Sequence, residues 1–152
     1  MSTRGDRRRQ AMDQVMDVFG RLRVLVDTGT ERRGLTHARA ALLMALHREG
    51  SLTGVDLARR FAVTPRNVTA LVDALEAQGL VTRQPHPLDR RALLVALTQE
   101  GRSMAAELQL GYERMTETML AGFTGPELDE LERVVGRLAE ALDGYQPRSG
   151  VG

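Results

Sequence analysis

The chain has 152 residues, 42% of them hydrophobic and only 3% aromatic, with no Cys, no Trp and a net charge of +1. One domain with helical extensions fits that length, and aliphatic side chains must fill its core. Disulfides, thiolate zinc sites, cysteine nucleophiles and thiol redox sensing are excluded, and no apolar run approaches the ~20 residues of a membrane span.

Residues 1–10 read as a polar tail. Arg7, Arg8 and Arg9 there suit either a loose arm on phosphates or a solvated tail. No apolar segment follows these charges, so they are not a secretory signal, and the cytoplasm is the expected compartment. The first helix is predicted from about Gln10 to Asp27. Met12, Val15, Met16, Phe19, Leu22 and Val26 form one stripe, and Val18 and Leu25 widen it to a second side. A helix apolar on two sides packs on two sides, and the second can face another subunit. A Gly- and charge-rich link spans Thr28–Gly34. Thr36 then caps a helix to about Arg48, with Ala38, Ala41, Leu42, Ala45 and Leu46 inward. His37, His47 and His86 are scattered without metal-ligand spacing.

Gly50, Ser51 and Leu52 lead into Thr53, which has capping-box spacing to Asp56. A short helix follows from Gly54 to Phe61, with Val55, Leu57, Ala58 and Phe61 apolar. Ala62 and Val63 turn the chain into Thr64, an N-cap, with Pro65 at the first helical position. In the next helix Val68, Leu71, Val72 and Leu75 recur at helical spacing as a buried stripe. Arg66, Asn67, Thr69, Ala70 and Asp73 lie opposite, and Gly79 ends the helix as a left-handed residue. Two short helices around a tight turn form the helix-turn-helix pattern. The polar face suits base edges and phosphates, although an ordinary solvated face has the same composition.

A two-stranded hairpin is predicted next, beginning at Leu80–Arg83 and returning through the alternating Leu93, Val95 and Leu97. Pro85 and Pro87 keep the intervening loop out of a sheet interior. Arg83, Arg90 and Arg91, with few acids nearby, make this wing-like loop electropositive, as a narrow minor groove requires. Asp89 can hold Arg91 in an ion pair or accept backbone N–H groups of the loop.

Thr98 caps a long helix to about Phe123, with Met104, Leu108, Met115 and Met119 down one side and Ala105 and Tyr112 beside them. Thr124-Gly125-Pro126-Glu127 starts a last helix whose Leu128, Leu131, Val135, Leu138 and Leu142 form a coiled-coil-like seam. That seam serves either intrachain packing or pairing with a second chain. The tail from Gln146 is expected to fray. Charge is segregated along the chain. Residues 1–50 carry a net +4, residues 51–98 a net +2 and residues 99–152 a net −5. A polyanion is therefore drawn to the first two segments and repelled by the third.

Residues 52–101 resemble the winged helix-turn-helix domain of the MarR (multiple antibiotic resistance regulator) family of bacterial transcription regulators. That family's wing carries Asp-x-Arg, then five residues, then Leu-Thr and often a Gly. Asp89-Arg90-Arg91, Ala92 to Ala96, Leu97-Thr98 and Gly101 reproduce this order. The run Leu75-Glu76-Ala77-Gln78-Gly79-Leu80-Val81-Thr82-Arg83 matches the end of the family's recognition helix. The resemblance implies a mostly α fold with a small β-hairpin wing. It divides into N-terminal helices for dimerisation and support (1–50), a DNA-binding winged helix-turn-helix (51–98) and long C-terminal dimerisation helices (99–152).

The function implied is a homodimeric, sequence-specific DNA-binding regulator, a repressor relieved by a small aromatic or anionic effector, on a pseudo-palindromic operator. Arg91 would enter the minor groove, braced by Asp89. Arg66, Asn67 and Thr69 would face the major groove. With Thr64, Ala70, Arg83 and Arg90 they complete the set of DNA-contact candidates. Met12, Val15 and Phe19 with the last helix's seam are the dimer candidates, and Arg21, Arg39 and His47 are effector candidates. The alternative is a winged-helix protein-interaction module without DNA binding. No Gly-rich phosphate loop, nucleophile elbow, metal spacing or Ser–His–Asp set points to an enzyme, and no cofactor is implied.

Overall fold

In the computed structural model, which describes residues 3–145, every helix begins behind a threonine. Thr3 precedes α1 (Arg4–Glu31), Thr36 precedes α2 (His37–Glu49), and Thr53 both ends β1 (Leu52–Thr53) and caps α3 (Gly54–Phe61). Thr64 precedes α4 (Pro65–Ala77), Thr98 precedes α5 (Gln99–Leu120), and Thr124 precedes α6 (Gly125–Asp143). A threonine hydroxyl at this position accepts one of the N–H groups that the first helical turn cannot pair. The Asp56 N–H donates to Thr53 Oγ1 at 3.1 Å, and the Thr53 hydroxyl donates to the Asp56 carboxylate at 2.6 Å. That hydroxyl bond, and then the Thr53 N–H donating to the same carboxylate at 3.4 Å, lower the Asp56 pKa. At Thr124 the backbone N–H and the hydroxyl both donate to the Glu127 carboxylate at 2.8 Å, and these bonds lower the Glu127 pKa.

The contacts divide the chain at Tyr112/Glu113 into two compact units. In the first, α2, α3 and α4 pack around Leu42, Leu43, Leu46, Leu57, Val68, Val72 and Leu75. Burying each such side chain contributes roughly 1.5–3 kcal/mol. The core extends through Leu80, Val81 and Val95 of a small antiparallel sheet formed by β1, β2 (Val81–Pro85) and β3 (Leu93–Leu97). The strand order is β1-β3-β2, with Leu52 opposite Val95 and with Val81 opposite Leu97 through to Pro85 opposite Leu93. Met104 and Leu108 of α5 pack against this core, and Ala105 is fully buried. In the second unit α6 has no buried residue.

Several expectations are corrected. The N-terminal stretch is helical from Arg4, so Arg7, Arg8 and Arg9 are not a loose arm; Thr3 and Asp6 cap it where apolar periodicity gave no signal. The same helix runs on to Glu31, which shortens the link to α2. In α2 the inward side chains include Ala40 and Leu43, while Ala38 is exposed in the first turn. The predicted hairpin forms as β2 and β3, and the two residues of β1 add an unforeseen third strand against β3. Pro85 closes β2 and does not begin the loop; β2 is an edge strand, where a missing N–H is tolerated. Strict alternation fails in β3. Leu93 lies beyond the core and is 52% exposed, whereas Ala96, short and on the middle strand, is buried. The α5 helix stops at Leu120, short of Phe123. The expectation for the chain from Gln146 lies outside the described residues.

Candidate nucleic-acid interface

The turn between α3 and α4 is set by Ala62, a left-handed C-cap at φ +50°. Thr64 Oγ1 then accepts the Asn67 N–H at 3.2 Å, and Pro65 opens α4. With Val68, Val72 and Leu75 turned into the core, Arg66, Asn67, Thr69, Ala70 and Asp73 are all exposed. The Thr69 hydroxyl donates back to the Pro65 carbonyl at 3.0 Å. At the other end Gly79 (φ +71°) makes the Schellman turn. Its N–H donates to the Glu76 carbonyl and the Leu80 N–H to the Leu75 carbonyl, both at 2.9 Å.

Arg83, at the root of the wing, is tied to the helix. Its guanidinium pairs with both Asp73 and Glu76, and its backbone N–H donates to Glu76 at 3.3 Å. Its pKa is raised, first by the hydrogen bond to Asp73 and then by the charge of Glu76. The expectation of few acids near Arg83 is therefore corrected: α4 brings two carboxylates onto it. Arg66, Arg90 and Arg91 are exposed, and their guanidinium groups have no carboxylate partner among the described residues.

At the wing tip Asp89 Oδ1 accepts the Arg91 N–H at 2.9 Å. Of the two roles open to Asp89, it takes the backbone one. His86 also organises this loop, a role that sequence reading missed. Its Nδ1 accepts the Leu88 N–H at 3.1 Å and the Asp89 N–H at 3.0 Å.

A match to the family model for the MarR family covers residues 33–92. The HTH-type transcriptional repressor MdtR of Bacillus subtilis is 31% identical over 113 residues, which span 74% of this chain and 73% of that protein. The chain belongs to the MarR family. Among solved structures, the YusO protein from Bacillus subtilis superposes with a TM-score of 0.69 at 26% identity, covering 91% of this chain and 99% of that one. FabT of Streptococcus pneumoniae, solved in complex with DNA, gives a TM-score of 0.82 at 18% identity, covering 91% and 99%, and shares the fold.

As a MarR-family transcription regulator the chain is not an enzyme, as the sequence led us to expect. Among the described residues no helix is long and apolar enough to cross a membrane. The three effector candidates do not converge. Arg21 is paired with Asp17 at 3.1 Å and lines a groove with Met16, Val24 and Leu25. His47 is exposed and lines an open cavity of about 350 Å³ with Ser51, Gln84 and Arg102. Arg39 is half-buried and lines neither.

Proposed function

We propose that this regulator binds duplex DNA as a homodimer, sequence-specifically, and acts as a repressor. Each protomer would lay the start of α4 in the major groove and the wing tip in the adjacent minor groove. The observation that carries this reading is the division among the arginines. Arg83 is spent on Asp73 and Glu76, while Arg66, Arg90 and Arg91 stand exposed at the helix start and the wing tip. Arg66 and Asn67 suit guanine and adenine edges, at roughly 1–3 kcal/mol of discrimination per good bidentate contact. The exposed Thr69 and Ala70 each carry a methyl group of the kind that suits a thymine methyl. Thr64 caps the helix at the same end, and Asp89 holds the loop that presents Arg90 and Arg91. The DNA-bound relative FabT and the repressor MdtR support DNA binding and repression.

Residues 51–98 would serve as the DNA-binding part, with 1–50 and 99–152 supplying support and dimerisation. Support for a dimer comes from apolar side chains without cover. Met12, Val15 and Phe19 are 47%, 41% and 59% exposed, and Leu131, Val135 and Leu142 are 40%, 54% and 65% exposed. Leu128 and Leu138 of the same seam are half-buried. A two-fold dimer implies a pseudo-palindromic operator. A small aromatic or anionic effector would relieve repression through its differential affinity for two arrangements of the dimer. His47, at an open cavity, is the best placed of the three effector candidates. The chain would work in the cytoplasm.

Arg91→Ala tests the DNA reading. Operator affinity in a gel-shift titration should fall by about tenfold, equivalent to ~1.4 kcal/mol, with the dimer intact. Unchanged affinity rejects the assigned role of the wing.

A further inference from the structure

The wing tip is closed by its own residues, and one ring nitrogen carries two of the bonds. The His86 N–H donates to the Ala92 carbonyl and the Ala92 N–H to the Asp89 carbonyl, both at 3.1 Å. Asp89 Oδ1 holds the Arg91 N–H at 2.9 Å. The remaining support comes from His86 Nδ1, which accepts the N–H groups of Leu88 at 3.1 Å and Asp89 at 3.0 Å. A nitrogen can accept only with a free lone pair, so these two bonds require a neutral ring with its proton on Nε2. A protonated imidazole has N–H on both nitrogens. It would turn a third donor toward the two it now receives, and both bonds would be lost.

We propose that His86 is a positioning residue for the wing: in its neutral form it locks the loop that presents Arg90 and Arg91, and protonation releases that lock. This rests on the reading that the wing enters the minor groove. Asp56 of α3 is within reach of the ring's charge, and Asp89, Arg90 and Arg91 are the charged residues of the loop itself. Asp56 is committed to its Thr53 cap and to Arg59 at 3.5 Å. The sign of the pH effect follows from the acceptor role. The lock is complete when the imidazole is neutral and is lost when the ring takes up a second proton on Nδ1. Protonation also adds a positive charge, which strengthens binding to any duplex alike. The signature is therefore a loss of wing contact relative to recognition-helix contact, rather than a loss of total binding.

The test uses the full-length protein in two arms. In amide NMR without DNA, the Leu88 and Asp89 resonances should move from pH 8 to 5.5 with the midpoint of the His86 ring. Their exchange protection should drop by up to about tenfold per pH unit, the limit for one linked proton. In His86→Asn, whose Oδ1 can take the place of Nδ1 without titrating, both amides should stay flat. In His86→Ala they should be unprotected at every pH. With DNA, hydroxyl-radical protection by the wing should fall several-fold from pH 8 to 6 relative to protection by α4, and His86→Asn should abolish that change. The proposal is overturned if the two amides ignore the ring's titration, or if wild type and His86→Asn share one pH profile. Should no duplex bind at any pH, the DNA reading fails and the NMR arm alone decides the lock.

Discussion

Thr98 joins three segments through one residue. Its hydroxyl donates to the Gly79 carbonyl at 2.6 Å and accepts the Gly101 N–H at 3.0 Å, and its own N–H donates to the Leu80 carbonyl at 3.1 Å. The end of α4, the start of β2 and the start of α5 are thereby held together. Thr98→Val keeps the shape and removes the hydroxyl. It should cost about 1–2 kcal/mol in a urea titration, the range for a lost cap and hydrogen bond. Gly101 is needed next to it for space. A Cβ there would lie 1.9 Å from the Leu80 carbonyl oxygen, which is backbone and cannot step aside. Gly101→Ala should therefore lower stability by about 1–3 kcal/mol, despite the better helix propensity of Ala. A melting temperature at or above wild type would contradict that fit. Five of the six helix-capping threonines were legible because each stands before a periodic apolar run. Thr3 was not, since Arg4–Arg9 offers no such period.

Among the elements, the helix-turn-helix and both hairpin strands were readable from spacing and turn residues. The strand β1 was not, because two residues give no alternation to detect. The Arg83 clamp was hidden for another reason: its partners lie seven and ten positions upstream and meet it only through the turn at Gly79. Arg83→Gln should loosen the wing from α4 and weaken operator binding, yet change the slope of log K against log salt by well under the ~0.9 expected for one lost phosphate contact. A full-unit change would make Arg83 a direct contact. The α3 cap carries a pH prediction. The Asp56 pKa is lowered by Thr53, so its contribution is present above the ordinary carboxylate value and is lost as pH falls through the lowered one. The stability gap between wild type and Thr53→Ala should narrow below about pH 4. A gap that stays constant down to pH 2.5 would contradict the cap.

At the scale of the whole molecule, the exposed apolar faces are the feature a lone chain leaves unexplained. In α1 every residue from Arg4 to Arg21 is exposed, and the seam of α6 has no buried member. Heptad-like spacing in α6 left intrachain packing and pairing open, and the proposed dimer would give that exposed seam a partner. Phe19→Glu and Val135→Glu should each shift the protein toward monomer in analytical ultracentrifugation and weaken operator binding; a dimer untouched by both would place the interface elsewhere. The sequence could not say which of the scattered cations work together, because that depends on α4 and β2 meeting in space.

Hydroxyl-radical footprinting on the duplex that the full-length protein selects from a random pool tests the central proposal most directly. Two protected patches related by two-fold symmetry are expected, with centres about 10–10.5 base pairs apart or a multiple of it, and flanking minor-groove protection that Arg91→Ala removes. Failure to select any duplex at low ionic strength, or a single unsymmetrical patch indifferent to Arg91→Ala, would contradict it.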